Sequence, residues 1–194
     1  RYYMLLKHNP YVNCTAGQRY DAQVPDTLDL AERMRISVNA LTRAWFPEER
    51  WALGFNVDFS RSPAVLRLGH RTDCYLNIPP KFLEALVLCR LGSGSEQNLD
   101  VDEQILREQL ELLGGDGLTY CPSETLSEYK DDSGFSEVWG EGRSLIALSM
   151  LQQVDADPRW AAIGQRKVDR LLELTREKEG FRFFWRGRFQ PGQT

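Results

Sequence analysis

From Thr27 onward, Leu30, Ala31, Met34, Val38, Leu41 and Trp45 recur at steps of three and four, the spacing that lines one face of an α-helix. Asp26 or Thr27 can cap the start and Pro47 follows the end, so the pattern predicts an amphipathic helix of about five turns. Pro79-Pro80 opens a second helix, to about Leu91, that is apolar almost all round and is expected in the interior. A third, from about Asn98 to Leu113, turns Val101, Ile105, Leu106, Leu110, Leu112 and Leu113 inward and stops at Gly114-Gly115. The fourth follows Trp139-Gly-Glu-Gly-Arg143 and runs through Val154. Asp157-Pro158 starts the fifth, with Trp160, Gly164, Val168, Leu171 and Leu172 as its apolar side and Lys178-Glu-Gly180 as its end.

Between these periodic stretches the pattern breaks down. Residues 1–25 mix aromatics with Asn, Pro, Gly and Thr and are expected to form an irregular lead-in. The connection from 47 to 78 is long for a compact domain, and such connections are often functional. A second polar loop runs from Ser123 to Glu137.

Composition narrows the partners. At 194 residues and 42% apolar, the chain is long enough for one substantial core, so a single domain over 1–194 is expected. Its net charge of -4 disfavours nucleic acid and anionic membrane surfaces. The most apolar stretch, Phe82 to Leu91, contains Glu84 and Arg90 and is too short to span a bilayer. Cys14, Cys74, Cys89 and Cys121 are widely spaced and only two histidines are present. That reads as reduced thiols in a cytosol-compatible protein, with no metal and no cofactor; His70, Asp73 and Cys74 lack the paired spacing of a zinc site. Phosphate-binding glycine loops, nucleophile elbows and H-E-x-x-H motifs are absent. The first residue, Arg1, with no initiator Met, points to a processed chain or a piece of a longer one.

A weak repeat organises the helices. Asp116-Gly-Leu-Thr-Tyr120 and Glu179-Gly-Phe-Arg-Phe183 share an acid-Gly-apolar-x-aromatic form, each after a long helix, and they start 63 residues apart. Successive helical hairpins joined by such turns resemble the α/α-toroid proteins, above all the six-hairpin glycosidases, with terpenoid-cyclase-like toroids next. The resemblance covers residues 26–186 and is one of architecture, with no catalytic motif to carry over. It implies an all-α fold of repeated helical hairpins with short extended pieces, a partial or complete toroid. It also implies a site at one mouth of the barrel, and at this repeat length the chain would be half of one.

Glycosidic cleavage needs two carboxylates, about 5 Å apart for retention or about 6.5–9.5 Å for inversion, and aromatic faces to hold the sugar. The loop before the fourth helix offers Glu124, Glu128, Asp131, Asp132, Glu137, Trp139, Glu141 and Arg143, although acids there also serve simply to favour the helix N-terminus. The 51–78 connection offers Asp58, Arg61, His70, Arg71, Asp73 and Tyr75, for which paired structural ions are the competing reading. Phe181-Arg-Phe-Phe-Trp-Arg-Gly-Arg-Phe189 interleaves cations with aromatics, which suits stacking and anion binding but also an ordinary strand with arginines facing water.

The expected catalytic carboxylates are therefore Asp58, Asp73, Glu137 and Glu141, and the expected ligand-holding residues His70, Tyr75, Tyr120, Trp139, Arg143 and Trp185. The two long connections are separated by two helices, so they are expected at the same end of the helical layer in a shared aromatic-lined cleft. The function expected is glycoside hydrolysis of an oligosaccharide or another small polar ligand. Its alternative is a non-catalytic helical module packing against a second chain or the rest of a barrel.

Overall fold

The computed structural model describes residues 29–122 and 134–193. Among them five α-helices form: α1 (Leu30–Thr42), α2 (Pro79–Ser93), α3 (Leu99–Glu111), α4 (Val138–Asp155) and α5 (Pro158–Glu173). Seven short strands accompany them: β1 (Trp45–Phe46), β2 (Ala52–Asp58), β3 (Val65–Leu68), β4 (Ser136–Glu137), β5 (Thr175–Lys178), β6 (Phe181–Phe184) and β7 (Arg188–Phe189). They make three small antiparallel sheets, β1-β2-β3, β4-β7 and β5-β6. The chain is thus a mixed α/β protein, and both the all-α class and the α/α toroid are overturned.

The corrections have local causes. Trp45 keeps step with the apolar face of α1, but the helix stops at Thr42 and the Trp45 indole donates to the Leu41 carbonyl at 2.7 Å. The residue then pairs with Leu53 across β1-β2. That sheet occupies much of the 47–78 connection expected to be irregular. Asp29 caps α1, its side chain accepting from the Glu32 amide at 3.0 Å. Later in the chain α5 ends at Glu173, and 175–184 form a hairpin turned by Glu179 and Gly180, both at positive φ. The two repeat segments therefore diverge: after α3 the Leu113–Thr119 pairing is an isolated bridge, whereas after α5 there are four paired positions.

Helix α2 is central, packed against α1 and α4, and α4 in turn packs against α5. Its inward residues Leu83, Leu86 and Val87 are buried, yet Leu88 is exposed. Arg90 is also buried, because its guanidinium grips Asp102 of α3 through Nε at 2.5 Å and Nη2 at 2.7 Å. Burial pushes the Asp102 carboxyl above its ordinary range against that attraction.

One irregular turn positions the candidate site. Residues Asp73–Asn77 form a π-helical turn in which the Ile78 amide bonds the Asp73 carbonyl at 3.1 Å. The double proline that follows explains it. Pro79 and Pro80 have no N–H for the carbonyls four residues back, and their rings crowd those carbonyls in a regular helix. Gln109 of α3 donates to the Tyr75 carbonyl instead, at 3.4 Å.

Candidate functional site

Asp73 and Asn77 lie four residues apart on this turn, on one face of it. Across from them, β4 presents Glu137 at the mouth of α4. The Asn77 amide nitrogen donates to Asp73 Oδ1 at 3.1 Å and to Glu137 Oε2 at 2.7 Å. One nitrogen serves both, so those two oxygens are held within about 6 Å of each other. Glu137 also accepts from Arg188 Nε at 3.2 Å, across the β4-β7 pair, and Arg188 stacks over Phe135. The Asn77 side-chain oxygen, Oδ1, is buried without a hydrogen-bond partner.

Close approach of backbones makes this meeting. A Cβ at Gly140 would stand 2.9 Å from Asn77 Oδ1 and 2.9 Å from the Leu76 carbonyl oxygen, so the first turn of α4 reaches the π-helical turn only because residue 140 is glycine. Trp139, half-exposed, stands beside the pair in sequence and carries Lys81 Nζ 4.6 Å from its ring centroid. Thus the 51–78 and 134–143 segments meet at Asn77 and Glu137.

The remaining expected residues are placed elsewhere. Asp58 ends β2 and holds the hairpin, accepting from the Ser60 hydroxyl at 2.5 Å, the Ser60 amide at 3.0 Å and Arg67 at 2.9 Å. Those bonds, the Ser60 hydroxyl first, hold its carboxyl below the usual range. Glu141 is sealed in the core. Its Oε1 accepts from the Thr119 amide at 2.6 Å and the Ser136 hydroxyl at 2.7 Å, while Oε2 pairs with Lys167 of α5. Burial draws the Lys167 ammonium below its ordinary range, and the Glu141 carboxylate opposes that shift.

Tyr75 is buried and donates to the Glu49 carbonyl at 2.7 Å, and burial raises its phenol well above normal. Tyr120 donates to Asp116 at 2.6 Å, and its phenol too is raised, by burial first and then by that carboxylate. Trp185 has Arg176 at 4.2 Å and Arg186 at 3.4 Å over its ring and meets Phe189 edge-on. His70 is exposed and Arg143 half-buried. Glu124, Glu128, Asp131 and Asp132 lie outside the described residues.

A cleft of about 720 Å³ lies in a different place. It is lined by Arg50, Gly115, Asp116, Tyr120, Arg170 and Glu173 among others, and neither Asp73 nor Glu137 borders it. Its charges are already committed: Arg170 bonds Asp116 at 3.3 Å and Glu173 at 2.9 Å, and Arg50 lies 3.8 Å from Glu108. The bridged carboxylates are therefore the stronger chemical candidate.

Sequence reasoning missed Asn77, Arg188 and Lys167. The double proline after Asn77 was the signal for the first; the other two depend on partners 51 and 26 residues away. Among the described residues no cluster of three or more His, Cys, Asp or Glu is placed to hold a metal, and no helix is long and apolar enough to cross a membrane. No family model, curated protein or solved structure matches the chain.

Proposed function

We propose that the chain hydrolyses a glycosidic bond with Asp73 and Glu137 as its two carboxyl groups. The observation that carries this reading is the shared Asn77 amide, which keeps the two acids within about 6 Å. That limit admits the spacing of a retaining pair and lies below that of an inverting one. Because the amide that bonds both oxygens is itself buried, the sugar's anomeric carbon approaches the pair from its solvent side. Arg188 and Asn77 orient Glu137, which takes the nucleophile role, attacking the anomeric carbon as the leaving oxygen receives a proton from Asp73. Water then releases the sugar with Asp73 as base, and the half-exposed face of Trp139 is the nearby stacking surface.

A second reading, packing against another protein surface, is favoured by the groove of about 320 Å³ between α4 and α5, lined by Leu145, Leu148, Ala161, Gly164 and Val168. One experiment separates the two. The parent chain is incubated with a broad oligosaccharide panel, alongside D73N and E137Q, while its mass in solution is measured. Hydrolysis with retained anomeric configuration, reduced roughly 10²–10⁴-fold in each variant, is the expected result. Absence of hydrolysis and binding across the panel overturns the proposal, and a stable oligomer in that case favours the packing reading.

A further inference from the structure

Among the described residues the β5-β6 hairpin has no third strand, and from Arg176 to Phe184 every residue is exposed. Phe181 is 76% exposed and Phe183 43%, an unusual outlay of aromatic surface on a two-stranded ribbon, which needs packing to be stable. The pairing register sorts the side chains. Arg176 stands opposite Phe183 and Lys178 opposite Phe181, so these four share one face, while Thr175, Glu177, Arg182 and Phe184 share the other. Trp185, two residues beyond Phe183, continues the first face and holds the Arg176 guanidinium 4.2 Å from its ring centroid. The first face thus carries two cations and three aromatic rings with no acid among them, whereas on the second Arg182 stands opposite Glu177 and Phe184 meets Phe189 edge-on.

Charge selects the occupant. Between 175 and 188 five cations, Arg176, Lys178, Arg182, Arg186 and Arg188, face two acids, Glu177 and Glu179, in a chain whose net charge is -4. Charged edges alone would be ordinary protection against strand pairing. That protection does not call for phenylalanines in water among the cations. The strand also leads into the candidate site: Gly187 accepts from the Val138 amide at 2.9 Å, and Arg188 bonds Glu137 at 3.2 Å.

We infer that the Arg176, Lys178, Phe181 and Phe183 face binds a uronate-bearing oligosaccharide. Sugar rings lie on the phenylalanines and their carboxylates meet Arg176 and Lys178. The glycan identity rests on the hydrolase reading above. A nucleic acid of equal charge would meet the same field, so the choice of a glycan rests on the continuity of this strand with the Asp73–Glu137 pair, and nucleic-acid binding is an outcome that the test separates.

The test is calorimetric titration of the parent chain with hexagalacturonate, with maltohexaose as the neutral probe and a thymidine hexanucleotide as the nucleic-acid probe. The expected result is binding of hexagalacturonate that weakens with salt. Affinity should fall roughly tenfold or more in R176A/K178A and in F181A/F183A. Thermal unfolding checks that the variants are folded; the salt dependence of the unaltered chain tests the charge assignment without any variant. Equal binding of maltohexaose or of the hexanucleotide, no binding of hexagalacturonate, or folded hairpin variants that bind it unchanged overturns the inference. Hairpin-dependent binding without hydrolysis of any glycan would instead leave this face standing and remove the hydrolase reading.

Discussion

Replacing Lys167 by methionine tests the account of how α5 is held. The ammonium is fully buried and donates to Glu141 Oε2 and, at 3.1 Å, to Thr119 Oγ1. Methionine keeps the length of the side chain but leaves the Glu141 carboxyl without a cation. Removing one partner of a buried ion pair costs about 3–5 kcal/mol. Here the Thr119 amide and the Ser136 hydroxyl still donate to the stranded carboxyl, at 2.6 and 2.7 Å, which argues for the low end, about 3 kcal/mol. For a domain of this size that corresponds to a midpoint lowered by about 6–12 °C. The double variant K167M/E141Q should recover most of the loss. Gln retains an acceptor for Thr119 and Ser136 and removes the uncompensated charge, whereas leucine would orphan the Thr119 amide. Urea unfolding with linear extrapolation measures both, as a double-mutant cycle. A loss below about 1 kcal/mol in K167M, or a double variant less stable than K167M alone, would refute the reasoning.

Two further predictions concern neighbouring parts of the same layer. Gly140→Ala places a Cβ 2.9 Å from the Leu76 carbonyl, which cannot step aside as a side chain can, so about 1–3 kcal/mol of stability should be lost in urea unfolding. Gly142→Ala, exposed on the same helix with nothing within 4 Å, should instead gain up to about 1 kcal/mol, and equal effects would refute the close-approach argument. Burial pushes the Cys74 thiol from 9.0 up to about 11. Its folded pKa is the higher one, so the stabilisation is complete below pH 9 and is lost as pH rises toward 11, at up to about 1.4 kcal/mol per pH unit. Comparison of the alkaline unfolding curves of the native chain and C74A checks this; identical slopes would refute it.

Local chemistry made much of the helical framework legible. Pro79-Pro80, Asp157-Pro158 and the Gly114-Gly115 stop mark helix ends by what their own backbones can and cannot do, and α2 and α3 fall within a few residues of the pattern, whereas α4 starts at Val138 and takes in the 139–143 segment expected to precede it. In α5 the periodicity misled. Trp160, Gly164 and Val168 outline an apolar side, yet the buried residues are Trp160, Ile163 and Lys167, and Leu172 is exposed. A lysine counts as polar in any pattern; only the carboxylate of Glu141, 26 residues earlier, makes it an interior residue.

The strands and the candidate site belong to the tertiary structure for the same reason. Trp45 satisfies a helical period as well as a strand pairing, and its partner Leu53 decides between them. Asp73 and Glu137 were readable as acids in polar connections, but not as a pair. Their meeting depends on the double proline forcing a π-helical turn, on Gly140 admitting the backbone of α4, and on Asn77 reaching across 60 residues of chain. Amino-acid type and spacing thus determined the helices, whose hydrogen bonds close within four residues. Pairings between distant segments were decided only when packing brought them together, because periodicity along a chain carries no information about which faces will meet.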